Sequence, residues 1–460
     1  MKISKSNEYI EEYCSTIVRI GETYPIEGKD RIVKTLVNGL SIVIGKDDFK
    51  PGDIAVYCAN ETVLNGRYLH INSLYSNKKL NADNTITGYI NNNGRVRAIK
   101  LGGIPSYGIL LDPDSIARFV DEPVEDVIKY LEEHLGEDFD EIDDERFIEV
   151  YLPVSDIVEP EHGDGMNKIN KKLKRFKMLI DGSFSFNYHT RLLAKYFDEF
   201  SPDDKVFISN KLHGTSAIFS NIITLMPTNW FKRMIRRLLC KDEYDKAYNI
   251  VYSSRKVIQN AYINANKGSG YYSSNVYGYW AKKLKDLIPE DYTLYCEIVG
   301  FTPNGEAIQV GYDYGCSRYS HNKSKLMVYR ITVKGKELDI PDVIKFGKSL
   351  KKALGREIIE YPLLYEGTLK DLYPDVPIDE HWHGTVLELL KNEKRFGMEE
   401  LEPLCLTMVP REGIVIRKAD DPLSEAWKLK SDKFLLEEGA NMDKGKVGLE
   451  MIEEYYNEDN

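Results

Sequence analysis

Five short apolar runs in the second half of the chain, "KVFISNKLHGTSAIF", "TLYCEIVGF", "KLMVYRIT", "EGIVIRK" and "AWKLKSDKFLL", carry isolated charged residues among β-branched and aromatic ones. Runs of this kind read as strands. A carboxylate set inside such a strand costs several kcal/mol unless it is paired or ligating. Glu297 in "LYCEIVGF" and Glu412 in "REGIVIRK" both stand in that position. Whatever fold this region adopts must therefore bring cations to two strand-borne glutamates. Helical stretches at 341–355 and 384–396 lie between the runs, so residues 166–437 are expected to form an α+β domain.

The cations are on hand. Lys211, in "SNKLHGTSAIF", precedes a histidine, a glycine and two hydroxyls. It is either a solvated loop charge or a nucleophile. A lysine attacks phosphorus only as the neutral amine, which neighbouring cations and desolvation favour, and a glycine turn lets a polyphosphate approach without a Cβ clash. Arg255 follows a short strand in "SSRKVI" and offers a forked donor to ribose or phosphate oxygens. Lys428 and Lys430 stand two apart, hence on one face of a strand. One glutamate holding a divalent metal while these lysines hold phosphate makes a workable centre for nucleotidyl transfer.

The first part of the chain reads differently. Ile32 to Val37 and Leu40 to Ile44 flank Asn38-Gly39, which suits a two-residue type I′ hairpin. With "GDIAVYC" and "RVRAIKLGGIPSYGILL" the pattern fits a small β-barrel. Between residues 121 and 149, fourteen of 29 positions are Asp or Glu. Val124 to Leu135 suits an amphipathic helix, and "GEDFDEIDDER" a solvated connector. The expected organisation is a barrel over 1–130, an acidic linker over 131–165, and an acidic tail over 438–460.

A net charge of −11 argues against wholesale binding to nucleic acid but leaves room for local basic grooves. "NKINKKLKRFK" (167–177) and "WFKRMIRRLLCK" (230–241) are such patches, either phosphate contacts or solvated faces. The six cysteines form no CxxC pair, and a reducing compartment is expected. No run approaches the roughly 20 apolar residues that span a bilayer, so a cytoplasmic protein without a membrane partner is expected.

In order, Lys211, Arg255, Glu297, Tyr329, Glu412 and the Lys428/Lys430 pair resemble the successive motifs of the covalent nucleotidyltransferases, the superfamily of polynucleotide ligases and messenger-RNA capping enzymes. "KLHGTS" looks like the RNA-ligase form, and "EAIQVGYDYG" (306–315) and "PLLYEGTLKDL" (362–372) also resemble RNA ligases. Only 30 residues follow Lys430, and the extra domain is amino-terminal. "ANETVLNGRYLHINSLY" (59–75) with "GRVRAIKLGGIPSYGILL" resembles the branch with an amino-terminal OB domain, the Deinococcus type.

That resemblance implies an OB-like barrel followed by a nucleotidyltransferase domain of antiparallel, ATP-grasp-like sheets. It implies an ATP-dependent RNA ligase, acting as a monomer with Mg²⁺ or Mn²⁺ on RNA carrying 5′-phosphate and 3′-hydroxyl ends, as at a nicked duplex. Lys211 would take AMP, Arg255 would meet ribose or phosphate, Glu297 would contact the ribose and serve the metal, and Tyr329 would stack on the base. Glu412 would bind the metal, and Lys428 and Lys430 the phosphates. Asn210, whose side-chain oxygen would accept the hydrogen bond of the adenine amino group, stands where related ligases carry a glutamate that reads adenine, and Ser216 where they carry asparagine. A DNA ligase, a GTP-dependent capping enzyme and an inactive RNA-binding protein are the alternatives.

Overall fold

The computed structural model describes residues 1–151, 179–180, 182–186, 190–226, 229–239, 244–255, 258–259, 272, 274–419 and 425–444. The basic stretch at 167–177 and the end of the acidic tail, 445–460, lie outside these residues.

The amino-terminal region is built from antiparallel strands. Asn38 and Gly39 have φ of 47° and 69°, and Val37 faces Leu40 across them, as a type I′ turn requires. The resulting hairpin, Lys29–Val37 with Leu40–Gly45, pairs with Thr23–Ile26. A second sheet runs in the order Ile109–Leu111, Ile54–Cys58, Ser15–Arg19, Asp138–Phe139. Val33, Ile42, Tyr57 and Tyr107 pack in one core cluster, and Ile17, Val56, Tyr68 and Leu131 in another.

The expected helix forms as Val124–Glu133 and buries Val127 and Leu131. The solvated connector beyond it does not. Glu141–Ile142 and Glu145–Arg146 are a hairpin whose turn is Asp143-Asp144, at φ of 51° and 61°. Phe139, Ile142, Phe147 and Ile148 all enter the core that holds Ile17 and Tyr68. Counting charges hid these inward-facing positions, and the amino-terminal domain extends at least to Val150.

The second region holds two sheets. One runs in the order Arg191–Leu192, Trp427–Lys430, Gly413–Lys418, Lys205–Lys211, Leu363–Thr368. The other centres on Lys246–Ser253, Thr215–Leu225, Tyr292–Gly300 and Ser324–Val333. Helices Ile340–Leu354 and Trp382–Lys391 fall where the sequence placed helical stretches. Among the described residues no helix is long and apolar enough to cross a membrane.

The two regions touch closely. A Cβ on Gly39 would lie 2.5 Å from Leu387 and 3.0 Å from Ala194, so the hairpin tip seats against the second domain. The start of the expected acidic tail is part of the helix Asp432–Asp443. Buried Arg95 of the first domain donates to Glu61 at 2.8 Å, to Asp443 at 2.6 Å and to the Gly439 carbonyl at 3.1 Å. Arg95→Ala strands the Glu61 carboxylate and releases that helix. A loss of about 3–5 kcal/mol is expected from chemical denaturation. Burial pushes the Glu61 carboxyl from 4.5 up to about 7, even beside Arg95. Stability from this group is therefore full below its unfolded value and lost as pH rises through about 7. Glu61→Gln should flatten that part of the pH profile, and an unchanged slope would contradict the assignment.

Candidate active site

Lys211 is the last residue of one sheet, and the three residues Leu212 to Gly214 carry the chain to the other. Lys211 pairs with Gly413, which pairs with Lys430. These three form one row across neighbouring strands, so their side-chain positions share a face, and the glycine leaves the middle of the row open. A Cβ on Gly413 would sit 2.0 Å from the Leu429 carbonyl and 2.8 Å from the Lys430 Cα, so only glycine fits.

Glu412 enters this row fully buried. Its Oε1 accepts a hydrogen bond from Lys211 Nζ at 2.6 Å, and the lysine side chain is itself only 13% exposed. The second oxygen, Oε2, lies 3.7 Å from His213 Nδ1 and has no hydrogen bond among the described residues. On the other sheet, Glu297 pairs in register with Ser216. A Cβ on Gly214 would lie 2.4 Å from the Ile298 carbonyl oxygen, with Glu297 Oε1 at 2.9 Å, and the backbone clash explains a second obligatory glycine. The Lys211 turn is thus held between Glu297, inside the strand Tyr292–Gly300, and Glu412, which stands not within a strand as expected but just before Gly413–Lys418.

Tyr329 is the extra residue where the ladder between Tyr292–Gly300 and Ser324–Val333 slips register, and such a bulge re-aims its side chain. Its hydroxyl lies 3.4 Å from Ser216 Oγ. Burial, and then the Glu297 charge, push its phenol well up. Arg255 is half-buried, two residues beyond Ser253, the partner of Ile218.

Lys428 and Lys430 are both engaged by carboxylates, Lys428 by Glu12 of the amino-terminal region and Lys430 by Glu438 at 3.5 Å. Asn210 lies beside Lys211 and is buried. Strand alternation sends it to the face opposite Lys211, in the row of Ile414 and Leu429. There its amide donates to Glu402 at 2.9 Å in a buried setting.

Residues 14–113 match a family described as an OB-fold domain. No curated protein matches the chain. Among solved structures, a lysine-to-methionine mutant of the Naegleria gruberi RNA ligase with AMP and manganese aligns over 92% of this chain and 98% of its own, with a TM-score of 0.52 and 18% identity. The same ligase with pyrophosphate aligns over 93% and 99%, with a TM-score of 0.51 and 16% identity. A lysine-to-alanine mutant with ATP and manganese aligns over 92% and 98%, at 0.51 and 17%. The chain has the RNA-ligase fold. Its amino-terminal barrel is an OB fold, as expected, and the antiparallel sheets behind it have the fold of the RNA ligase's nucleotidyltransferase domain.

The stretch "EAIQVGYDYG" is what ties this site together, although no catalytic residue was assigned in it. Gln309 Nε2 donates to the Gly214 carbonyl at 2.7 Å, and the His213 N–H donates to the Tyr314 hydroxyl at 2.7 Å. His213 is packed edge-on against Tyr312 and Phe434. The Tyr312 hydroxyl donates to the Pro410 carbonyl at 2.9 Å, two residues before Glu412. Asp313 accepts from the N–H groups of Gly315, Leu406 and Thr407. Burial works to raise its carboxyl, but these donors hold it below the usual range. Glu12 and Glu438, the partners of Lys428 and Lys430, were also missed, and no local motif marks them.

Among the described residues no three His, Cys, Asp or Glu side chains cluster as a metal cage. Glu412, with one buried oxygen unbonded, still fits a hard cation held by one or two carboxylates, water and phosphate, which is how Mg²⁺ is usually bound. Gly413→Ala should overpack the row and cost about 1–3 kcal/mol of stability in denaturant unfolding. A wild-type midpoint would refute the close approach.

Proposed function

We propose that this protein is an ATP-dependent RNA ligase acting through a covalent lysyl-AMP intermediate. The observation that carries the reading is the buried Lys211–Glu412 pair, in a row with Lys430 across Gly413. The likeness to RNA ligases described with AMP, ATP and pyrophosphate supports it at the level of fold.

In the first step Lys211 Nζ, having lost its proton, attacks the α-phosphorus of ATP. A P–N bond forms and pyrophosphate leaves. In the second, a 5′-phosphate oxygen of RNA attacks the AMP phosphorus and frees the lysine. In the third, an RNA 3′-hydroxyl attacks that 5′-phosphate, the phosphodiester forms, and AMP leaves. Glu412 keeps the lysine aimed. Glu412, with Glu297 nearby on the second sheet, would hold Mg²⁺ or Mn²⁺, which neutralises charge on phosphoryl oxygens. Lys428 and Lys430 would grip phosphates in place of the carboxylates of Glu12 and Glu438. Arg255 would meet ribose or phosphate, and Tyr329 would stack on the base. The OB fold suits a grip on duplex RNA beside a nick, and the reading includes a monomer working in the cytoplasm.

Intact-protein mass after pyrophosphate stripping, then incubation with metal and either ATP or GTP, tests this. A single AMP adduct is expected with ATP, absent in Lys211→Ala. A GMP adduct would move the reading to capping chemistry, and an adduct surviving in the variant would remove Lys211 from its role. Sealing of a nicked RNA duplex should exceed joining of single strands. The reverse would sink the nick assignment while leaving the ligase intact.

A further inference from the structure

The helix Trp230–Leu238 is inserted between the strands Thr215–Leu225 and Lys246–Ser253. The first of these strands has eleven residues, so the helix sits about 33 Å along the strand from the Lys211 turn. At 3.6 residues per turn its side chains segregate cleanly. Trp230, Phe231, Met234, Ile235 and Leu238, with Leu239 just beyond, occupy one side, and Lys232, Arg233, Arg236 and Arg237 the other.

The orientation is the reverse of an ordinary surface helix. The cationic side turns toward the hairpin, where Lys232 and Arg236 bond Asp245 at 3.2 Å and 2.6 Å and Arg233 stacks on Tyr244 at 4.5 Å. The apolar side faces out, with Trp230 at 70%, Phe231 at 54%, Leu238 at 76% and Leu239 at 60% exposure. No residue of this helix is buried. Lys232 and Arg237 border the apolar strip on its two edges, and both are exposed.

We propose that this helix is a peripheral anchor that seats the protein on an anionic lipid bilayer. A short helix with Trp, Phe and Leu on one side and Lys and Arg on the other is the chemistry that lies in the interface plane. Charge complementarity selects the lipid. The chain carries a net −11, so an anionic surface repels most of it and attracts this local patch. A protein partner is less well served, since six apolar side chains stand where a stable interface draws on roughly 20–30 residues a side. RNA would also be drawn by Lys232 and Arg237, yet the aliphatic side chains of Met234, Ile235, Leu238 and Leu239 offer its bases no ring to stack on. The helix is too short to span the bilayer. The expectation of no membrane partner rested on the lack of a span, and did not weigh a helix lying flat. This inference is independent of the ligase reading.

The test is co-sedimentation of the full chain with vesicles of phosphatidylcholine alone or mixed with phosphatidylglycerol, with and without added salt. Binding to the mixed vesicles, weakened by salt, is expected, with a blue shift in emission from Trp230, since Trp280, Trp382 and Trp427 are buried. Combined Trp230→Ser, Phe231→Ser and Leu238→Ser should reduce binding about tenfold or more. Lys232→Gln with Arg237→Gln should weaken it on the anionic vesicles only. If the serine variant does not fold, the glutamine variant and the wild-type emission shift decide. No sedimentation, or equal sedimentation of the variants, overturns the proposal. So does a helix variant that loses RNA binding or self-association while the wild type ignores vesicles.

Discussion

A carboxylate taken wholly out of water has to be met by a cation, and in this protein the cation meeting Glu412 is the proposed nucleophile. That requirement orders much of the surrounding architecture. Glycine at 413 lets three strands close up, and glycine at 214 lets the turn lie on the Glu297 strand. The 306–315 segment fastens both the turn and the loop before Glu412. The same contact that places the amine also occupies Glu412 Oε1, one of the two oxygens that a metal would need. Competition for Glu412 is therefore built into the site's resting arrangement.

Much of this was legible because strand chemistry is local. A charge inside an apolar run announces itself, and a Lys-x-Lys spacing declares a shared face. What stayed hidden was set by register and distance. The acidic segment near 140 was judged by its charge, while Phe139, Ile142, Phe147 and Ile148 supplied its structure. Glu12 meets Lys428 from more than 400 residues away in sequence, which no spacing rule anticipates. For Trp230–Leu238 the residues were visible as a basic, aromatic patch, but not which side would face the solvent.

The amino-terminal domain is also more than an attached module. Gly39 presses on the second domain, Lys195 pairs with Asp138, Arg95 clamps the helix Asp432–Asp443, and Glu12 engages Lys428. That helix in turn carries Glu438, the partner of Lys430. Lys428 and Lys430 are thus both held by groups whose positions depend on how the domains are joined.

The crossing at Leu212 to Gly214 gives the site an unequal tolerance of change in chain length. Only three residues connect the two sheets at Lys211, and both flanking strands are locked in antiparallel ladders. Adding or removing one residue there would either carry Lys211 away from Glu412 or force one ladder to slip, and a slip by one residue exchanges core positions for cleft positions. The segment between Leu225 and Lys246 lies beyond those ladders' inner ends, where extra length leaves the register intact. One end of the same strand is closed to insertions, and the other is where new surface features can accumulate.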